Sequence, residues 1–227
     1  MISENLNKVE EKIAETCIKC GINRSEIRLI AVSKTQSVQT IDDAVKTGIK
    51  DFGENKAQEL RDKSDLISGD FRWHFIGHLQ TNKVKYVIKA AEYIHAIDSI
   101  KLAEEVNRKA EQIRKRQKIL LEIKTSAEAT KSGFENEKNI FEAVEFCKNC
   151  SNLDLVGLMT MAPYTEDEKI IRDCFVQLRG LKEKLNNSGF ALSELSMGMT
   201  NDYQIAIEEG ATMLRIGTAI FGDRNYV

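Results

Sequence analysis

Eight short apolar runs, rich in β-branched and aromatic residues, recur along the chain, and a helical pattern separates each from the next. They lie at 28–33 (RLIAVS), 50–53 (KDFG), 72–77 (RWHFIG), 93–98 (YIHAID), 118–124 (KILLEIK), 153–159 (LDLVGLM), 194–198 (ELSMG) and 213–217 (MLRIG). Between them apolar residues fall at helical spacing, as in Ile41, Ala44 and Val45, or Leu102, Val106 and Ile113, or Ile140, Ala143, Val144 and Cys147. Gly21, Gly48, Gly189 and Gly210 follow helical stretches, where a left-handed residue closes the last turn. Few architectures accept eight consecutive βα units within one domain's length, and the sequence predicts a single-domain (β/α)8 TIM barrel over 1–227. A further helix is expected at 4–20. A doubly wound sheet is the rival, but it usually offers a glycine-rich first turn, and here that turn reads SKTQS.

Charge and composition remove several function classes. A net charge of -2 gives no large basic surface for nucleic acid. The one basic run, RKRQK at 114–118, closes a helical segment and is read as a complement to the helix dipole. No apolar run approaches the roughly 18 residues of a membrane span, and the polar, amphipathic N-terminus lacks a signal-peptide pattern. Five cysteines without an export signal fit the reducing cytoplasm. The pairs Cys17/Cys20 and Cys147/Cys150 suggest zinc only superficially. They sit in amphipathic helix ends some 130 residues apart, with no nearby histidine pattern.

In a barrel of this kind, chemistry collects at the C-terminal strand ends. Those ends carry Lys34, Asn55, His78, Asp98, Lys124, Met159, Ser196 with Met197, and Arg215 with Gly217 and Thr218. Alternation puts Ile30, Val32 and Lys34 on one strand face, and Arg215 and Gly217 on another, without fixing which faces point inward. The stretches SMGMTND (196–202) and RIGTAIFG (215–222) join small residues to hydroxyls at helix starts, in the two loops where this fold usually holds phosphate. A phosphate site facing a strand-end lysine suits three ligands. These are a sugar phosphate bound as in class I aldolases, a phosphorylated substrate held by ion pairing, and pyridoxal 5′-phosphate (PLP) joined to Lys34. A guanidinium from Arg215 beside the pyridine nitrogen would keep that nitrogen unprotonated and make the cofactor a weaker electron sink.

The motifs AVSKTQ, FGENKAQE, WHFIGHLQTNK, KSGF, GLMTMA and LSMGMTNDYQIAIEEGATMLRIGTAIFG occur in order between about residues 27 and 225. Together they closely resemble the pyridoxal phosphate homeostasis protein family, whose barrel is related to the N-terminal domain of alanine racemase. The resemblance implies a PLP-binding protein in which Lys34 forms the Schiff base and Asn55 lies beside the ring. It implies that Ser196, Met197, Gly217 and Thr218 hold the phosphate and that Arg215 faces N1. Lys124 and His78 depart from the family pattern, which commonly has Asn and Pro there. Lys124 adds a second cation near the mouth. His78 is read as a hydrogen-bonded loop residue, His74 and His95 as structural, and Lys131 as a lysine of the loop after the fifth strand, near the mouth.

The resemblance favours a carrier or regulator of PLP over an enzyme. The alternative is a fold-type III racemase or decarboxylase, which needs a proton donor on each face of a planar intermediate. In the racemases the second donor is a tyrosine from another domain. The sequence stops at Val227, just past the eighth unit, so no such domain is expected. Among Tyr86, Tyr93, Tyr164, Tyr203 and Tyr226, only Tyr164 follows a strand end closely enough to test. Class I aldolases generally place their lysine on strand 6 or 7, where Met159 and Met197 stand here. The expected partners are therefore PLP and, transiently, apo PLP enzymes, for a cytoplasmic monomer.

Overall fold

A computed structural model describes residues 1–126 and 132–222. The eight strands are β1 (Arg28–Val32), β2 (Asp51–Glu54), β3 (Arg72–Phe75), β4 (Ala91–Ile97), β5 (Gln117–Glu122), β6 (Leu153–Met159), β7 (Glu194–Ser196) and β8 (Met213–Ile216). All pair in parallel with their sequence neighbours, and β8 returns to β1 to close the barrel. The chain folds as a (β/α)8 TIM barrel.

The outer ring comprises α1 (Ile2–Cys20), α2 (Val38–Lys46), α3 (Ala57–Leu66), α4 (Val84–Val87) and α5 (Ile100–Gln112). It continues with α6 (Glu137–Lys148), α7 (Glu168–Asn187), α8 (Tyr203–Glu208) and α9 (Thr218–Phe221). Helix starts follow local chemistry. Ser37, Ser99, Asn136 and Asp167 each accept a hydrogen bond from a backbone N–H of the first turn of α2, α5, α6 and α7. The extra helix α1 ends at Gly21, whose φ of 67° lets its N–H reach back to the last carbonyls. The basic run behaves differently from expectation: α5 stops at Gln112, before the run. Lys115 reaches the carbonyls of Ile88 and Ala91 just past α4, and Lys118 pairs with Glu92.

Two apolar clusters hold the layers. The large one lies between strands and helices and includes Ala31, Phe52, Phe75, Ile94, Leu121, Leu158, Leu214 and Ile216. The small one gathers Ile30, Tyr93, Leu120, Met159 and Met213 inside the barrel. The inward parity is thereby settled: Ile30 and Val32 lead to Lys34, and Met213 leads through Arg215 to Gly217. Ile30 is paired in register with Arg215 on the neighbouring strand.

Candidate functional site

A cavity of about 500 Å³ opens at the C-terminal ends of the strands. Lys34, Asn55, Arg215, Gly217 and Thr218 all line it. Ser196 and Met197 do not; both are fully buried behind it. The neighbouring residues Met199, Thr200 and Asn201 form that part of the wall instead.

Lys34 is half-buried, and its backbone is fixed from both sides. Before it, the Ser33 carbonyl accepts from Lys63 Nζ at 2.8 Å, and the Ser33 hydroxyl donates to Glu54 Oε1 at 2.6 Å. After it, Thr35 takes a left-handed φ of 68°, and its N–H donates to Glu59 Oε1 at 2.7 Å. A β-branched residue is strained in that region, so a carboxylate receiving its N–H offsets part of the cost. Lys63 joins the two halves, donating to Glu54 at 2.8 Å and to Glu59 at 2.7 Å while only 6% exposed. Burial pushes the Glu54 carboxyl up, against the hydrogen bonds from Lys63 and Ser33.

Asn55 follows β2 and packs against Gly77, where a Cβ would come within 2.2 Å of the Asn55 carbonyl oxygen. Any side chain at position 77 would push Asn55 out of place. Asn55 Oδ1 is buried and has no hydrogen-bond partner among the described residues. Such an orphaned acceptor at a cavity wall suits a ligand polar atom.

Arg215 closes the floor. It is 4% exposed and donates from Nη1 to Ser196 Oγ at 2.5 Å and from Nη2 to the Thr160 carbonyl at 2.8 Å. Burial brings its pKa down to about 10, so it is a cation at neutral pH. Two acids absent from the sequence reading share the cavity. Glu122, on β5, accepts from Ser132 Oγ at 3.0 Å, and burial raises its pKa. Asp202 accepts from the Met199 N–H at 2.5 Å, and burial raises it too. A glutamate two residues from the end of the apolar run 118–124 was the available signal for Glu122.

The remaining candidates sit as follows. His78 lies at the rim, more than half exposed, with Nδ1 3.2 Å from Asp98 Oδ2. Lys124 pairs with Glu135 and does not line the cavity. Tyr164 stands at the rim, 97% exposed. Lys131 and Tyr226 lie outside the described residues. Among the described residues, no group of three or more His, Cys, Asp or Glu side chains is arranged to hold a metal ion.

Residues 5–225 match the family model of the alanine racemase N-terminal domain. The pyridoxal phosphate homeostasis protein of Aquifex aeolicus is 40% identical over 225 residues, covering 98% of each chain. The chain belongs to the pyridoxal phosphate homeostasis protein family. The homologue of that name from Escherichia coli K12 is 36% identical over 99% of this chain. PipY of Synechococcus elongatus PCC7942, solved with PLP bound, superimposes with a TM-score of 0.88 at 30% identity, over 98% of this chain and all of that one. Alanine racemase of Clostridium difficile 630 shares the fold, with a TM-score of 0.78 at 17% identity; the match spans 98% of this chain and 56% of the racemase.

Proposed function

We propose that the protein binds PLP in the strand-end cavity and serves PLP homeostasis as a carrier or regulator, with Lys34 as the amine that captures the cofactor's aldehyde. The carrying observation is the convergence of the Lys34 amine, the orphaned Asn55 Oδ1 and the Arg215 cation on one cavity of about 500 Å³. When bound, PLP supplies an aldehyde, a pyridine ring and a phosphate dianion, and the donor set fits all three. Gly217 and Thr218 offer backbone N–H groups and a hydroxyl for the phosphate, with Met199, Thr200 and Asn201 on the same wall. Ser196 acts from behind that wall, through Arg215, and Met197 supports the loop by packing. Asn55 orients the ring, and Arg215 donates at its far side.

The names of the homologues and the bound PLP of PipY support the cofactor role. Among the described residues the rim carries the exposed Tyr164 and His78, which supports a holder over an enzyme, because controlled carbanion chemistry wants water excluded. A cytoplasmic place and transient contact with apo PLP enzymes follow from the same reading. The deciding experiment mixes PLP-loaded protein with an apo PLP enzyme and times recovery of that enzyme's activity. Delivery faster than passive release supports a carrier; absence of bound PLP in the purified, PLP-incubated protein rejects the whole reading.

One observation favours a weak second activity. Glu122 stands on β5, four strands around the ring from β1, and burial raises the pKa of its carboxyl. It and Lys34 are therefore two proton-handling groups on opposite walls, enough for slow proton exchange on a captured amino acid.

A further inference from the structure

A continuous line of side chains runs through the barrel interior from the strand starts to the cavity floor. Asp51 Oδ1 lies 2.7 Å from His74 Nε2, and His74 Nδ1 lies 2.9 Å from His95 Nε2. His95 Nδ1 lies 2.8 Å from Ser196 Oγ, which accepts from Arg215 Nη1 at 2.5 Å. His74, His95 and Ser196 are fully buried, and Asp51 and Arg215 nearly so. At the far end Arg72 clamps Asp51 through two bonds of 2.8 Å, beside a second cavity at the strand starts.

The donors fix a direction along this line. A guanidinium has no lone pair to offer, so Ser196 accepts from Arg215, and its own proton can go to His95 Nδ1, the direction that an ionised Asp51 and two neutral rings require. A neutral His95 then carries its proton on Nε2 and donates it to His74 Nδ1. His74 in turn carries its proton on Nε2 and donates to the Asp51 carboxylate. Burial favours the neutral form of both rings. Burial pushes Asp51 up, but the hydrogen bonds from His74 and Arg72 outweigh it and hold the carboxyl ionised.

We propose that Asp51, His74, His95 and Ser196 form a relay of fixed polarity that holds the Arg215 guanidinium in place as a donor toward the cavity, with His74 and His95 as positioning residues, both protonated on Nε2. With Nη1 committed to Ser196 and Nη2 to the Thr160 carbonyl, the plane of the guanidinium is set before any ligand enters. The line ends on the Asp51 carboxylate at the opposite end of the barrel, whereas the acids whose charges act on Arg215 directly are Asp202 and Glu122. A ligand at the floor therefore meets a cation whose orientation depends on a residue that never touches it.

The first test needs no ligand. The protein with ¹⁵N-labelled histidine holds only three such residues, and His78→Gln assigns the third. The expected spectrum near neutral pH shows a protonated Nε2 and a bare Nδ1 for both His74 and His95. A proton on Nδ1 of either ring, or a doubly protonated ring, overturns the relay. The second test rests on the PLP reading above and compares PLP release from wild type, Asp51→Asn and Ser196→Ala. The amide introduced by Asp51→Asn keeps the shape of the chain while weakening its polarity, so release should quicken by about tenfold, with a shifted visible absorption maximum. Release and spectrum unchanged by Asp51→Asn overturn the coupling, whatever Ser196→Ala does. Should the wild type bind no PLP, the functional reading fails and the histidine spectrum still decides the relay.

Discussion

Lys63 Nζ lies 2.8 Å from the carbonyl oxygen of Ser33, the residue immediately before Lys34. The same ammonium reaches Glu54 and Glu59, and Glu59 receives the N–H of Thr35, the residue immediately after Lys34. A charge buried in α3 thus sets the exit of β1. Replacing Lys63 with Met fills the volume but leaves two carboxylates facing each other without their cation. Losing one partner of a buried ion pair costs about 3–5 kcal/mol. Urea unfolding of Lys63→Met should show a loss of that order; a loss below about 1 kcal/mol, the scale of surface pairs, would mean the network does not hold the strand end.

Reduction of the PLP-loaded protein with borohydride, followed by peptide mapping, should place the fixed adduct on Lys34. Lys124 is the competing amine by sequence, but its pairing with Glu135 and its place outside the cavity wall argue against it. An adduct found mainly on Lys124 would move the ligand away from Asn55 and Arg215.

The barrel was legible because parallel strands buried on both faces leave unbroken apolar runs, and eight such runs stand in this chain. Strand-end position then singled out Lys34, Asn55, Arg215, Gly217 and Thr218, all of which the fold brings to one cavity. Ser196 is instructive in the other direction. Its SMGM context suggests a ligand hydroxyl, yet the fold brings His95, 101 positions away in sequence, against its Oγ. That contact depends on how β4 and β7 face each other across the barrel interior, which no local pattern encodes. Glu122 was hidden for a related reason. The run 118–124 outlasts the strand, which ends at Glu122, so the terminal Lys124 drew attention that belonged to the residue two before it.

Thr218→Val tests the phosphate wall. The substitution keeps the side-chain shape and removes a hydroxyl from the cavity lining. Loss of a hydrogen bond to a charged group should weaken PLP by about 1–3 kcal/mol while leaving pyridoxal, which lacks the phosphate, nearly unaffected. Equal losses for the two ligands in parallel titrations would place the phosphate elsewhere.

The buried histidines make a prediction about pH. Burial lowers the pKa of both His74 and His95 from 6.5, and the neighbouring charges of Arg28 and Arg72 lower His74 further while Asp51 opposes them. Arg215 and His74 act on His95 in the same lowering sense. A group whose folded pKa is depressed binds a proton in the unfolded chain first. Stability is therefore present above about pH 6.5 and is lost as pH falls toward the folded values, by up to about 1.4 kcal/mol per pH unit for each ring. The raised carboxyls of Glu54, Glu122 and Asp202 act in the opposite sense over this range, so the readout is the difference: between pH 7.5 and 5.5 denaturant unfolding should show a smaller loss in His95→Gln, which removes one of the two rings, than in the wild type. A variant with the full wild-type drop would mean that His95 already titrates normally in the fold.

Glu122→Gln separates the holder from the weak catalyst. The amide keeps the hydrogen bond from Ser132 as an acceptor, so the wall should stay intact, and PLP retention should change little. What it removes is a titratable carboxyl, whose pKa burial raises, and with it the capacity to take up and give back a proton. Wild-type protein loaded with PLP and given L-alanine in deuterated water should exchange its α-proton slowly and yield a trace of the D-isomer, since Lys34 and Glu122 stand on opposite walls. In Glu122→Gln, exchange through Lys34 should persist while D-isomer formation falls by about 10²-fold or more, the usual scale of one general acid or base. D-alanine forming at the wild-type rate in this variant would assign the second proton to another group, and Tyr164 at the rim would be the next to replace. Turnover of about 1 s⁻¹ or faster in the wild type would instead make the protein an enzyme in its own right.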